Sequence, residues 1–268
     1  MSNKRDILII DDEQVILDAV SKIAESEGFK VDTVLDAKEA LLKINQNNYS
    51  AILCDIMMPE MDGFQLLDKL NSDHKNIPVI MITGFSTAEN AVNSLYKGAV
   101  DFIAKPFTFE EIISAIYRAI EYGKIQLKIE NDKKGDKESS VIHVPCPPRY
   151  KRLGNISWMN LETQGTAVIG VTDMFLRTLH SVNNIEMMES ENIVVQGNSC
   201  AKFEAEDGLI HSCLAPIGGR IIERNEKLLT DPALLEKDPY FKGWIYRLIP
   251  SDIEYEMKYL IPCSSDRM

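Results

Sequence analysis

The sequence predicts an α/β chain in two parts: a doubly wound, five-stranded parallel sheet followed by a mostly-β domain. Three observations carry this reading. Residues 4–122 hold five short apolar runs separated by amphipathic stretches of helical period. Four of those runs lead into a charged or hydroxyl side chain at the strand end. From Gly154 the helical period gives way to short alternating segments separated by turn signals.

Taken in order, Ile7–Ile10 reads as a strand and Glu13–Glu27 as an amphipathic helix closed by Gly28. Val31–Val34 is the second strand, and Ala37–Asn47 a helix with Ala40, Leu41 and Ile44 on one face. Ile52–Asp55 is the third strand; Met57-Met58-Pro59 and Asp62-Gly63 break it into a loop before the helix Phe64–Asn71. Val79–Ile82 follows Pro78, Ser86–Tyr96 is a helix stopped by Gly98, and Val100–Ile103 is the fifth strand. Thr108–Glu121 is the last helix, with Ile125 and Ile129 able to extend it. Such alternation implies a parallel sheet covered on both faces, and right-handed crossovers bring the strand ends to one edge.

Residues 1–123 are thus read as one domain, 124–153 as a charged, proline-rich linker and 154–268 as a second domain. Its strand candidates are Trp158–Leu161, Thr166–Val171, Ile193–Val195, Lys202–Ala205, Leu209–Leu214, Arg220–Ile222 and Trp244–Leu248. Thr163-Gln164-Gly165, Gln196-Gly197-Asn198, Glu206-Asp207-Gly208 and Ile217-Gly218-Gly219 are the turn signals between them. Helices are few: Thr172–Ser181, a short turn at Leu234–Glu236, and Ile253–Tyr259.

Charge excludes some functions. Residues 1–123 carry 11 basic and 20 acidic groups, and 154–268 carry 10 and 17, so both domains repel a nucleic-acid backbone. Only 124–153 is basic, with 8 against 4, and a solvated linker explains it. No apolar run approaches the roughly 18 residues of a membrane span, and no signal-peptide core follows Met1–Asp6. A cytoplasmic chain with no membrane or nucleic-acid partner is expected. The cysteines, Cys54, Cys146, Cys200, Cys213 and Cys263, show no C-x-x-C pair. Their odd number points to reduced thiols, and a Cys200–Cys213 bridge is not expected. His74, His143, His180 and His211 are isolated, which argues against zinc.

The chemistry concentrates at the strand ends. Asp11 and Asp12 follow the first strand and Asp55 ends the third, together a three-carboxylate oxygen site of the kind that holds magnesium. Thr83-Gly84 ends the fourth strand, and the fifth leads to Lys105-Pro106. These are the parts for phosphoryl transfer: Asp55 as nucleophile, with Lys105 and Thr83 binding phosphoryl oxygens by charge and hydrogen bond. Singly, Asp11 and Asp12 could cap a helix, Lys105 could be a solvated loop lysine and Thr83 a turn residue. Their joint placement on one sheet edge favours the site.

With D-D at 11–12, D-I-M-M-P-x-M-D-G from Asp55, T-G at 83–84 and K-P-F at 105–107, residues 4–122 resemble the receiver domain of two-component response regulators. The resemblance implies a flavodoxin-like sheet and phosphorylation of Asp55 by a sensor histidine kinase. It implies Mg²⁺ on Asp11, Asp12, Asp55 and the main-chain carbonyl of Met57. It also implies a switch in which Thr83 and Phe102 turn inward. Receivers of this family often pair as homodimers. Beyond its own phosphoryl transfer and slow dephosphorylation, the chain is not expected to be an enzyme.

The second domain resembles the H protein of the glycine cleavage system, a lipoyl carrier with a barrel-sandwich hybrid fold. The matching residues are Trp158, G-V-T-D at 170–173, A-P-I-G-G at 215–219 and the run N-E-K-L-L-T-D-P-A-L-L-E-K-D-P-Y-F-K-G-W from Asn225 to Trp244. The family attaches lipoate to a lysine at a hairpin tip. Counting from Gly197 puts that position at Asp207, and counting back from Ala215-Pro216 puts it at Gly208. Neither is lysine, and Lys202 comes five residues too early. No lipoate is expected, and the domain reads as a module that binds an unidentified protein partner. Two alternatives stand beside this: a phosphorylation-controlled lipoyl carrier modified at Lys202, and a transcription regulator acting through the basic arm at 149–152.

Overall fold

The computed structural model describes residues 6–73, 75–133 and 144–267. His74, His143 and the remainder of 134–143, within the stretch read as a linker, lie outside the described residues, as do residues 1–5. Contacts divide the chain into two units: Met1–Ser86 with Lys97–Val141, and Thr87–Tyr96 with Ile142–Met268.

In the first unit, β1 (Ile7–Ile10), β2 (Val31–Val34), β3 (Ala51–Asp55), β4 (Val79–Thr83) and β5 (Asp101–Ala104) form a five-stranded sheet in the order β2-β1-β3-β4-β5. Every pairing is parallel, with Ile10 beside Cys54, Asp55 beside Ile82 and Thr83 beside Ala104. That register aligns the ends of the central strands, so the residues just past them share one edge. β1, β3 and β4 are buried throughout, as continuous apolar runs require in a sheet covered on both faces.

The flanking helices are α1 (Gln14–Ser26), α2 (Ala37–Gln46), α3 (Gly63–Ser72) and α5 (Phe109–Lys133). Asp36 caps α2 by accepting from Glu39 N, and Asp62 with Gln65 forms a reciprocal capping box on α3. Leu66, Leu67 and Leu70 of α3 join Leu8, Ile52 and Met81 of the sheet in one core. α4 (Ala88–Tyr96) belongs by its contacts to the second unit. α5 runs ten residues past the boundary expected at 123, because Ile125 finds a buried position and Asn76 Nδ2 donates to Glu130 Oε1 at 2.7 Å.

Strands of the second unit are β6 (Lys151–Leu153), β7 (Ser157–Leu161), β8 (Ala167–Val171), β9 (Val182–Met187), β10 (Ile193–Val194), β11 (Ser199–Ala205), β12 (Ile210–Leu214), β13 (Gly219–Arg224), β14 (Trp244–Pro250) and β15 (Ile261–Pro262). They make a seven-stranded sheet, β10-β13-β14-β8-β7-β6-β15, and a three-stranded one, β12-β11-β9, with every pairing antiparallel. Short helices α6 (Asp173–Thr178), α7 (Lys227–Thr230), α8 (Leu234–Lys237) and α9 (Ile253–Glu256) complete it. Trp158 is fully buried beside Tyr150 and Tyr240, and its Nε1 donates to Pro239 O at 3.2 Å. Gly170 is required there: a Cβ would lie 2.6 Å from the Trp158 ring.

Two expectations change. The arm is not free of regular structure, because Lys151–Leu153 already pairs with Ser157–Met159 and with β15. Nor are all thiols reduced: Cys146 and Cys263 form a disulfide, 117 residues apart, inside the Trp158 cluster. The pairing of β15 with β6, continued by Cys263 N donating to Tyr150 O at 3.0 Å, juxtaposes cysteines that spacing could not connect. Cys54, Cys200 and Cys213 are free and buried. Among the described residues no helix is long and apolar enough to cross a membrane.

Candidate functional site

The aligned strand ends of the first unit carry the site. Asp11 leaves β1 with its N donating to Val34 O at 3.3 Å, and its Oδ1 accepts from Glu13 N at 3.0 Å. That bond fixes the carboxylate at the start of α1. Asp55 ends β3; its Oδ1 accepts from Ile56 N at 2.8 Å, leaving Oδ2 toward the crevice. Lys105 is set by its own N donating to Thr83 O at 2.8 Å, and the peptide to Pro106 is cis. Its Nζ lies 2.7 Å from Asp11 Oδ2 and 3.4 Å from Asp55 Oδ2, with Glu13 Oε1 at 3.7 Å. The structure therefore brings Asp11, Asp12, Asp55 and Lys105 together.

Thr83, fully buried, accepts from Phe85 N at 3.2 Å through Oγ1. Phe102, on β5, is partly buried against the sheet core. Met57 and Phe85 are 50% and 64% exposed, apolar residues two positions beyond Asp55 and Thr83. Gly63 has no alternative at its position. A Cβ there would sit 2.2 Å from Asp55 O, so any side chain would push α3 off the loop behind the nucleophile. Sequence marks Gly63 only as a loop signal and the end of the D-I-M-M-P-x-M-D-G motif, and it assigns Glu13 no part in the site, although the acidic run Asp11-Asp12-Glu13 is the available signal for it.

Electrostatics follow from crowding carboxylates in a buried crevice. Burial pushes Asp11 and Asp55 upward, and Lys105 opposes the shift at both. Burial alone would lower Lys105, but the Asp11 and Asp55 carboxylates outweigh it and hold the ammonium charged. One cation thus faces several anions. Asp11, Asp12 and Asp55 can each present an oxygen with all of these atoms within 4.8 Å of one another. An all-oxygen, anionic donor set of that span suits a hard divalent cation such as magnesium.

Comparison with known proteins identifies both halves. A family model for the response regulator receiver domain matches residues 7–117, and one for the glycine cleavage H-protein matches residues 149–264. The chain joins a response regulator receiver domain to a glycine cleavage H-protein domain. The receiver is 37% identical over 126 residues to the nitrogen assimilation regulatory protein NtrX of Azorhizobium caulinodans, covering 46% of this chain and 28% of that protein. It is 41% identical over 113 residues to the transcriptional regulatory protein SrrA of Staphylococcus aureus, covering 42% and 46%. The chain spans less than half the length of these relatives. Among solved structures, the NtrX receiver domain of Brucella abortus is 40% identical, covers 43% of this chain and 98% of that one, and superimposes with a TM-score of 0.42.

In the H-protein domain, the hairpin between β11 and β12 is tight. Gly208 N donates to Ala205 O at 2.9 Å, Ala205 N donates to Leu209 O at 3.0 Å, and Gly208 takes φ 82°. This is a three-residue turn, Glu206-Asp207-Gly208, closed by a glycine in the left-handed region. Asp207 Oδ1 accepts from Leu209 N at 3.0 Å, and its Oδ2 lies 3.6 Å from His180 Nε2. Lys202 stands within β11, opposite Glu186 and Ser212, and not at the tip. In the basic arm, Arg152 Nη1 donates to Gly154 O at 2.5 Å and Arg149 lies over the Tyr150 ring. Both make local contacts.

Proposed function

We propose that the chain is a response regulator whose receiver accepts a phosphoryl group on Asp55 from a sensor histidine kinase. The carrying observation is Lys105 Nζ placed between Asp11 and Asp55 at the buried end of β3. Asp55 Oδ2 attacks phosphorus; the bond to the donor imidazole nitrogen breaks, and the imidazole leaves with the electron pair and takes up a proton. Lys105 lies close enough to pair with a phosphoryl oxygen on Oδ2. The Thr83 hydroxyl, beside it on the same edge, can donate to another. Asp11, Asp12, Asp55 and the Met57 carbonyl would hold magnesium, which supplies charge neutralisation for both the carboxylates and the phosphoryl oxygens. Once Thr83 bonds a phosphoryl oxygen, its contact with Phe85 N is open to change, and Phe102, on the neighbouring strand opposite Met81, can follow.

The H-protein domain, on this reading, is a non-lipoylated module that binds a protein partner, since neither Asp207 nor Gly208 can form the lipoyl amide. The chain then has no turnover beyond its own phosphoryl transfer, and it works in the cytoplasm with its kinase. The test is labelling with acetyl phosphate and Mg²⁺. Wild type should gain one acid-stable, base-labile phosphoryl group and Asp55→Asn none; equal labelling of the variant would remove the assignment.

A further inference from the structure

We propose that a cavity of the H-protein domain, formed by β13, β14 and the insert between them, binds a monocarboxylate with an aromatic or aliphatic body. The cavity measures about 560 Å³, within the size range of small-molecule sites. It lies away from the hairpin tip and stands independently of the phosphoryl-acceptor reading.

Charge selects the ligand class. Residues 154–268 are strongly acidic, yet the cavity is lined by Arg224, Lys227 and Lys242 against only Glu223 and Glu226. Both acids are engaged: Glu223 pairs with Arg247, and Glu226 with Arg224 at 2.5 Å. Arg224 also holds Glu189 at 2.7 Å. Among the described residues no ion pair involves Lys227 or Lys242, so these two ammonium groups are the lining charges left to meet an anion. Beside them stand Leu234, Trp244 and Phe241, the last 67% exposed although its neighbours Tyr240 and Gly243 are buried. A carboxylate satisfies the lysines, and an apolar body covers Phe241 and Trp244.

The walls are held before any ligand arrives. Asn225 is buried, and its Nδ2 donates to Lys242 O and Trp244 O at 2.8 Å each. Gly243 N donates to Asp238 O at 2.8 Å, and a Cβ on Gly243 would meet that oxygen at 3.0 Å. These bonds fix the backbone that carries Phe241, Lys242 and Trp244. Arg247 over the Trp244 ring, 5.5 Å from its centroid, steadies the indole.

Trp244 supplies the readout, since Trp158 is buried in the core and does not line the cavity. Titration of the full chain with 3-phenylpropanoate should change tryptophan emission saturably, and 3-phenylpropanamide should bind at least roughly tenfold more weakly. The double variant Lys227→Met/Lys242→Met should weaken the acid by a similar factor while keeping the thermal midpoint, and Phe241→Ala should weaken acid and amide alike. A peptide ending in phenylalanine, with a free or an amidated C-terminus, distinguishes the source. Tighter binding of the free-ended peptide than of the small acid assigns a protein C-terminus, and the reverse assigns a metabolite. Either result supports the site. Equal binding of acid and amide, acid binding untouched by the lysine double variant, or no saturable binding of either probe overturns it.

Discussion

Reducing the Cys146–Cys263 disulfide should destabilise the H-protein domain and leave the receiver untouched. The bridge spans a sequence separation of 117. In the chain-entropy treatment, a cross-link over that length restricts the unfolded chain by an amount worth about 5 kcal/mol at 25 °C, and removing native disulfides typically costs about 2–5 kcal/mol. With a urea dependence of about 2 kcal/mol per molar, the midpoint should fall by roughly 1–2.5 M. Both tryptophans, Trp158 and Trp244, lie in or against the cluster that holds the two sulfurs, so tryptophan emission follows this domain alone. The assay is urea unfolding with and without a dithiol reductant, calibrated by thiol titration under denaturing conditions. Three thiols should titrate before reduction, Cys54, Cys200 and Cys213, and all five after it. Cys146→Ala and Cys263→Ala should each lower the midpoint, and the reductant should then lower it no further. A midpoint that does not move although five thiols titrate would refute the reasoning.

Three further outcomes follow from the same physical account. Arg118 on α5 is buried against Asp101 of β5, and burial pushes its guanidinium down to about 10; Arg118→Met strands that carboxylate and should cost about 3–5 kcal/mol. Circular dichroism should show the loss in a transition that tryptophan emission does not follow, and Asp101→Asn added to Arg118→Met should recover part of it. Met57 and Phe85 beside the site cannot orient an attacking water, so the acyl phosphate should decay slowly, and Met57→Asn with Phe85→Ala should quicken decay in a time course of label loss. Coexpression with excess lipoate ligase should leave the intact mass without a lipoyl increment, and a lipoyl adduct at Lys202 would revive the carrier reading.

The receiver was legible because its information is local. Ile7–Ile10 and Ala51–Cys54 are apolar throughout since both sheet faces are covered, and the next residue in each case sits at the open edge. The parallel register then does the rest, bringing Lys105 within ion-pair reach of both Asp11 and Asp55. The second domain hid more. β9, Val182–Met187, alternates imperfectly and exposes Asn183, Asn184 and Glu186, so its composition resembles a loop. β6 and β15 are three- and two-residue strands, and β15, at the sheet edge, pairs among the described residues only with β6, across more than a hundred residues. The disulfide is hidden for the same reason. Lys227 and Lys242 gain meaning only after Glu223 and Glu226 are seen to be engaged elsewhere, which spacing does not disclose.

Chemical trapping of the phosphoryl group is the most direct test of the central claim. The full chain is phosphorylated with acetyl phosphate and Mg²⁺, the acyl phosphate is reduced with borohydride, and the peptide spanning Ala51 to Lys69 is sequenced by mass spectrometry. Phosphorylation at Asp55 predicts homoserine at position 55, lost without Mg²⁺ and lost in Lys105→Met if the ammonium is needed to bind the phosphoryl oxygens. Homoserine at Asp11, Asp12 or any other carboxylate, with position 55 unchanged, would contradict the account.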